Sequence, residues 1–183
     1  MKPVDQTFFH LHSLELAKAL LGQYIVHELP NEVLVGRIVE TEAYLGKDDR
    51  AAHSYNNRRT KRTEIMFHEP GHVYTYSMHT HTLINVVSGP IDVPHAILIR
   101  AIEPVRGIET MRTLRGPIKR DVDLTNGPGK LTKAMHITND YYGHHWSKRP
   151  LYIAGNEPVK QIATSPRVGI KSSGEAAKYP WRF

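Results

Sequence analysis

The sequence predicts a single α+β domain spanning residues 1–183. Three observations lead there. A chain of 183 residues is the size of one domain that buries a substantial core. Its strand-like and helix-like segments are segregated rather than strictly alternating. No internal repeat, low-complexity tract or linker divides it.

Taken in order, Ser13 stands where it can cap a helix whose apolar positions, Leu14, Ala17, Leu20 and Leu21, follow helical spacing, with Gly22 as its stop. Strands are expected at Tyr24–Glu28 and Val33–Tyr44. Lys47–Thr63 is polar and reads as a long surface loop. His72–Ser77 alternates strictly, and a short polar tip from His79 to Thr82 leads into Leu83–Val87, so the pair reads as a hairpin. Ala96–Ile102 is an apolar strand interrupted only by Arg100. Helices are expected at Ile108–Leu114 and, after the turn Asn126-Gly127-Pro128-Gly129, at Lys130–Met135. The tail, Arg167–Phe183, holds one short strand and ends in an aromatic, basic cluster.

Composition narrows the class. Forty per cent hydrophobic and 23% charged residues describe an ordinary globular protein, and no apolar run is long enough to span a bilayer. Asp5, His10, His12 and Glu15 interrupt any signal-peptide core. The chain has no cysteine, which excludes disulfides, iron–sulfur clusters and cysteine-ligated zinc and fits a cytoplasmic, bacterial-type protein. Lysine and arginine outnumber aspartate and glutamate by 24 to 18, a surplus of +6 that suits a polyanion such as nucleic acid.

The segment Gly36–Gly46 carries the most chemistry. On a regular strand Ile38, Glu40, Glu42 and Tyr44 share one face, placing two carboxylates beside an aromatic ring. Such a place can handle a proton next to a flat ligand; a sheet that simply ends in water is the plainer alternative. Arg100, inside an apolar strand, needs an anionic partner, and Glu42 is the natural one. His72, His79 and His81 invite a metal, but the spacing of a helical zinc site is absent, so no metal is expected. The Gly127-Pro128-Gly129-Lys130 turn fails as a phosphate loop, because Leu124 and Leu131 stand where glycine and a hydroxyl are needed. It reads as a helix start that leaves Lys130 free to meet a phosphate.

Several blocks together resemble a known family. They are GRIVETEAYLG (Gly36–Gly46), DRAAHS (Asp49–Ser54), Thr60–Phe67 with Pro70-Gly71, Tyr74-Thr75-Tyr76, Asn85-Val86-Val87 and Leu98–Pro104. Asn126–Leu131, Arg167–Ile170 and Pro180–Phe183 complete the series in family order, spanning most of the chain. The chain resembles the alkyladenine (3-methyladenine) DNA glycosylases. The resemblance implies a curved antiparallel sheet with flanking helices and a protruding hairpin that enters the DNA minor groove. It also implies a monofunctional enzyme of base excision repair, acting as a monomer on duplex DNA that contains damaged purines, with no cofactor.

Carried over residue by residue, Glu42 is similar to the general base that activates water, and Arg100 to the arginine that helps hold that water and the adjoining phosphate. Tyr44, His53 and Tyr76 look like the aromatic walls around an extruded base, and Asn85 like the residue that disfavours normal guanine. Residue chemistry agrees with those roles. A base inside a duplex must be flipped out before it can be cut, aromatic stacking rewards that, and a carboxylate both deprotonates water and stabilises charge on the sugar. Arg58, Arg59, Arg62 and Lys130 can supply phosphate contacts. One departure stands out. The family hairpin carries Tyr-x-x-Tyr-Gly-Met, whereas this chain reads Tyr76-Ser77-Met78-His79-Thr80-His81, with no tyrosine at the tip. Met78 is then the candidate wedge for the gap in the base stack, with His79 second. Two rival functions are a non-catalytic binder of damaged or single-stranded nucleic acid and a histidine-based metallohydrolase. Residues alone do not select among 3-methyladenine, 7-methylguanine, hypoxanthine and ethenoadenine.

Overall fold

A computed structural model describes every residue from Met1 to Phe183. Six strands, β1 (Tyr24–Leu29), β2 (Glu32–Tyr44), β3 (Val73–Met78), β4 (His81–Ser88), β5 (His95–Arg106) and β6 (Leu151–Ala154), form one curled antiparallel sheet in the order β3-β4-β5-β2-β1-β6. Three α-helices, α1 (Ser13–Ala19), α2 (Ile108–Arg115) and α3 (Pro128–Ala134), flank it. The α+β class expected from segregated elements is what the chain adopts. No helix is long and apolar enough to cross a membrane.

The main core is a cluster of 24 buried residues, in which Leu16, Ala17 and Leu20 of the α1 region and Leu131 and Ala134 of α3 meet Ile38, Ile84, Ile97 and Ile99 of the sheet. That burial is the principal force holding the helices to the sheet. The hydroxyl of Thr41 donates to the Ala17 carbonyl at 2.9 Å and fixes α1 against β2. Trp146, fully buried, and strand β6 come from a stretch whose short apolar runs carry little periodicity in the sequence.

Several local expectations are corrected. Ser13 is not the cap of α1: the His12 ring accepts the Leu14 N–H, while the buried Ser13 hydroxyl reaches His95 Nδ1 at 2.9 Å. Of the expected common face, Glu40, Glu42 and Tyr44 stay together, joined through Arg100 and the Tyr44 hydroxyl, but Ile38 leaves it, because the register of β2 against β5 shifts between Ile38 and Glu40. Bulges turn a strand's alternation, so Ile38 joins Ala43 in the core. The 47–63 segment is irregular but anchored from within, with Asp49, Ser54 and Thr63 buried. The extended piece of the tail lies beside β2: Thr41 and Phe183 exchange two backbone hydrogen bonds, and the Ala43 N–H donates to the Trp181 carbonyl. Beyond Ile38 that edge of β2 has no β1 partner, and the C-terminus satisfies it instead.

Candidate active site

Antiparallel pairing lines up Tyr74 of β3, Asn85 of β4, Leu98 of β5 and Glu42 of β2 as one row across four strands. Side chains opposite one another in a sheet share a face. Tyr74, Asn85 and Leu98 of this row line a cavity of about 350 Å³, within the usual range for small-molecule sites of roughly 300–1,000 Å³, and Glu42 is the next residue along the row. Tyr44, His53, Tyr74, Tyr76, Met78, Asn85 and Arg100 line it, with Met66 from the loop, Pro128 from the start of α3 and Val168–Ile170 from the tail.

Glu42 is fully buried, beneath three residues that line the cavity, Tyr44, Arg100 and Val168. Its Oε1 accepts the Val168 N–H at 2.7 Å; its Oε2 accepts the Tyr44 hydroxyl at 2.8 Å and Arg100 Nη1 at 3.4 Å. Burial and the adjoining Glu42 carboxylate push the Tyr44 hydroxyl well above the usual tyrosine range, so it keeps its proton and remains a donor. Arg100 has a closer partner in Glu40, whose Oε1 accepts its Nε at 3.1 Å and Arg182 Nη1 at 2.9 Å. The expected Glu42–Arg100 pair is thus one half of a bridge, with Glu40 as the other anchor.

His53 meets Tyr76 edge to face with ring centres 4.6 Å apart, and its Nδ1 is 2.7 Å from the Tyr74 hydroxyl. Burial, reinforced by the positive charges of Arg62 and Arg58, holds the His53 imidazole down at about 4. The ring is therefore neutral at physiological pH, and a cationic guest meets no charge repulsion from it. Burial likewise pushes the Tyr76 hydroxyl up to about 12. The Asn85 side-chain amide donates to the Tyr74 carbonyl at 3.0 Å, and the Asn85 main-chain carbonyl accepts the Trp146 indole N–H at 3.2 Å.

Met78, about half exposed, continues the face of Tyr74 and Tyr76 into the cavity wall, opposite His81 at the end of the hairpin. His79 starts the two-residue tip with φ 54°, in the left-handed region that non-glycine residues seldom adopt. Arg58 and Arg62 are exposed. Arg59 is engaged by Glu64 and Asp92 and covers the Phe67 ring, while Lys130 is held by Asp123 and Asn126. The charges of Arg58 and Arg62 reach His53, whereas Arg59 and Lys130 would have to exchange internal partners for a phosphate. His72 packs against His68 and His145, at the other end of β3 from His79 and His81. No group of three or more histidine, aspartate or glutamate side chains is arranged to hold a metal ion.

The Methylpurine-DNA glycosylase family profile matches residues 7–183. The chain belongs to the methylpurine-DNA glycosylase family. It is 56% identical over 182 residues to a Bacillus licheniformis protein named "Putative 3-methyladenine DNA glycosylase", covering 100% of this chain and 92% of that one. Relatives carrying the same name occur in Bacillus subtilis, 55% identical over 99% of this chain and 92% of that protein, and in Clostridium novyi, 43% identical over 100% and 94%. Within this family member the tail is the part that residue-by-residue reading left without a role. The Arg167–Ile170 block supplies both the N–H on Glu42 and a wall of the cavity.

Proposed function

We propose that this chain is a monofunctional DNA glycosylase of base excision repair that extrudes an alkylated purine from duplex DNA and hydrolyses its N-glycosidic bond. The observation that carries the reading is the buried Glu42 carboxylate, held by donors on Tyr44, Arg100 and Val168, three residues that line a cavity walled also by His53 and Tyr76. Family membership and the names of the relatives support the same reading.

In this mechanism the flipped base enters among the three rings, whose electron-rich faces favour the positive charge of a base methylated at a ring nitrogen. Glu42 accepts a proton from water as the water oxygen bonds to the sugar C1′. The C1′–N bond breaks, its electron pair leaves with the base, and an abasic site remains. The same carboxylate stabilises the positive charge that develops on the sugar. Arg100, bridging Glu40 and Glu42, orients the carboxylate and faces the adjoining phosphate. Asn85, its side-chain amide tied to the Tyr74 carbonyl, crowds the position of guanine's exocyclic amino group. Met78 fills the gap that the flipped base leaves, and Arg58 and Arg62 meet the phosphates. The substrate partner is duplex DNA, bound by a monomer.

The test is single-turnover excision from a duplex carrying one 7-methylguanine or 3-methyladenine, with and without EDTA. Release of the free base at an unchanged rate in EDTA is expected. Binding without base release would contradict the reading in favour of a non-catalytic binder, and loss of activity in EDTA would favour a metal-dependent hydrolase.

A further inference from the structure

Arg167 is the most heavily engaged charge in the molecule, and it does not touch Glu42. It and Asp49 are both completely buried. Its guanidinium forks onto the two Asp49 oxygens at 2.5 and 2.8 Å and also donates to the Ala43 carbonyl at 2.8 Å and the Ala176 carbonyl at 3.1 Å. The same plane lies 4.6 Å from the Tyr44 ring centre and 5.0 Å from that of Trp181. Asp49 in turn accepts the N–H groups of Leu45 and Ala51, where the chain leaves β2. One buried ion pair therefore joins the end of β2, the loop that follows it and the C-terminal segment.

We propose that the Arg167–Asp49 pair is a positioning device for the Glu42 carboxylate. Of the three donors on Glu42, two depend on Arg167. Val168, whose N–H meets Oε1, is its covalent neighbour; Tyr44, whose hydroxyl meets Oε2, is the ring its guanidinium covers. Ordinary fold stability does not need such a pair, since apolar residues of similar volume often serve as well at buried sites. A fork that fixes a backbone N–H and a phenol at once is suited to holding a reacting group in one orientation, where an error near 1 Å costs about a hundredfold in rate. The inference rests on the proposed role of Glu42 as general base.

The test is Arg167→Lys, which keeps the charge and loses the planar fork. The expected result is an excision rate at saturating enzyme at least tenfold slower, with the dissociation constant for lesion duplex within about threefold of wild type. A double-mutant cycle separates positioning from loosened structure. In a Glu42→Gln background, Arg167→Lys is expected to change the residual rate by less than about twofold, because no base is left to position. Equal losses in the two backgrounds would overturn the proposal. Should Arg167→Lys not fold, Val168→Pro decides: it deletes the N–H on Glu42 from a half-exposed residue and is expected to show the same slow chemistry at saturating enzyme. Val168→Pro or a folded Arg167→Lys at the wild-type rate would overturn the proposal while leaving the glycosylase reading in place. A wild-type protein that releases no base would remove both.

Discussion

Gly129→Ala isolates the coupling between α3 and the hairpin. Gly129 has no left-handed φ, so only the space around it is at issue. A Cβ there would stand 2.7 Å from His81 Cβ and 2.8 Å from its Cγ. The His81 Cβ is fixed by the backbone and no rotamer moves it away, so His81 must retreat by about 0.7 Å to reach the 3.4 Å of ordinary contact. Alanine in a helix gains about 1 kcal/mol over glycine, whereas overpacking a fitted contact costs about 1–3 kcal/mol. With a backbone-fixed atom in conflict the upper end applies, leaving a net loss near 2 kcal/mol. For a chain of this size that lowers the melting temperature by about 4–8 °C. His81 pairs with Met78, so the tip moves with it, and excision from duplex is expected to fall about tenfold or more while excision from single-stranded DNA changes little. Gly127→Ala is the control, because its Cβ would find only Lys130 side-chain atoms at 3.6 Å and beyond. Calorimetry and single-turnover kinetics on the two substrates check the reasoning. A Gly129→Ala protein that melts at or above wild type would refute it.

Met78→Ala is expected to weaken binding to lesion duplex with much less effect on a lesion in single-stranded DNA, while His79→Ala is mild on both; equal losses from Met78→Ala on duplex and single strand would reject the wedge. Burial holds the His27 imidazole below its usual range, and burial with two arginines holds His53 at about 4, so both bind protons more readily in the unfolded chain. Their contribution is complete above about pH 6.5 and declines as pH falls toward 4; the urea midpoint is expected to drop between pH 7 and 5, less steeply in His53→Phe, and equal midpoints at the two pH values would contradict the assignment. Affinity for undamaged duplex is expected to fall steeply with salt, and Arg62→Ala to lower the log–log slope by about 1; a flat dependence would count against a DNA partner.

Where pattern and chemistry coincide, the sequence was legible. Helical spacing placed α1, α2 and α3 within a few residues, and strict alternation placed β3 and its hairpin partner. The cavity brings together Tyr44, Tyr76, Asn85 and Arg100, residues far apart in the chain, because the sheet sets their strands side by side, and His53 joins them from the 47–63 segment through its contacts with Tyr74 and Tyr76. Register shifts were not legible: nothing in Ile38-Val39-Glu40-Thr41 marks the bulges that send Ile38 to the core and leave Glu42 facing the cavity. Long-range pairing was equally hidden. Arg167 and Asp49 stand 118 positions apart, and neither has a local pattern announcing a buried partner. Lys130 read as free because Asp123 and Asn126, seven and four residues before it, reach it only once the turn has folded.

The central claim is that Glu42 activates the water that cleaves the glycosidic bond, and single-turnover excision by Glu42→Gln from a 7-methylguanine duplex tests it most directly. The amide keeps the shape of the side chain but cannot accept water's proton. The account predicts a loss of about 10²–10⁴-fold in the chemical step with lesion binding nearly unchanged. Glu40→Gln, which touches Arg100 and Arg182 rather than the water, is predicted to lose far less. Excision by Glu42→Gln within threefold of wild type would contradict the account.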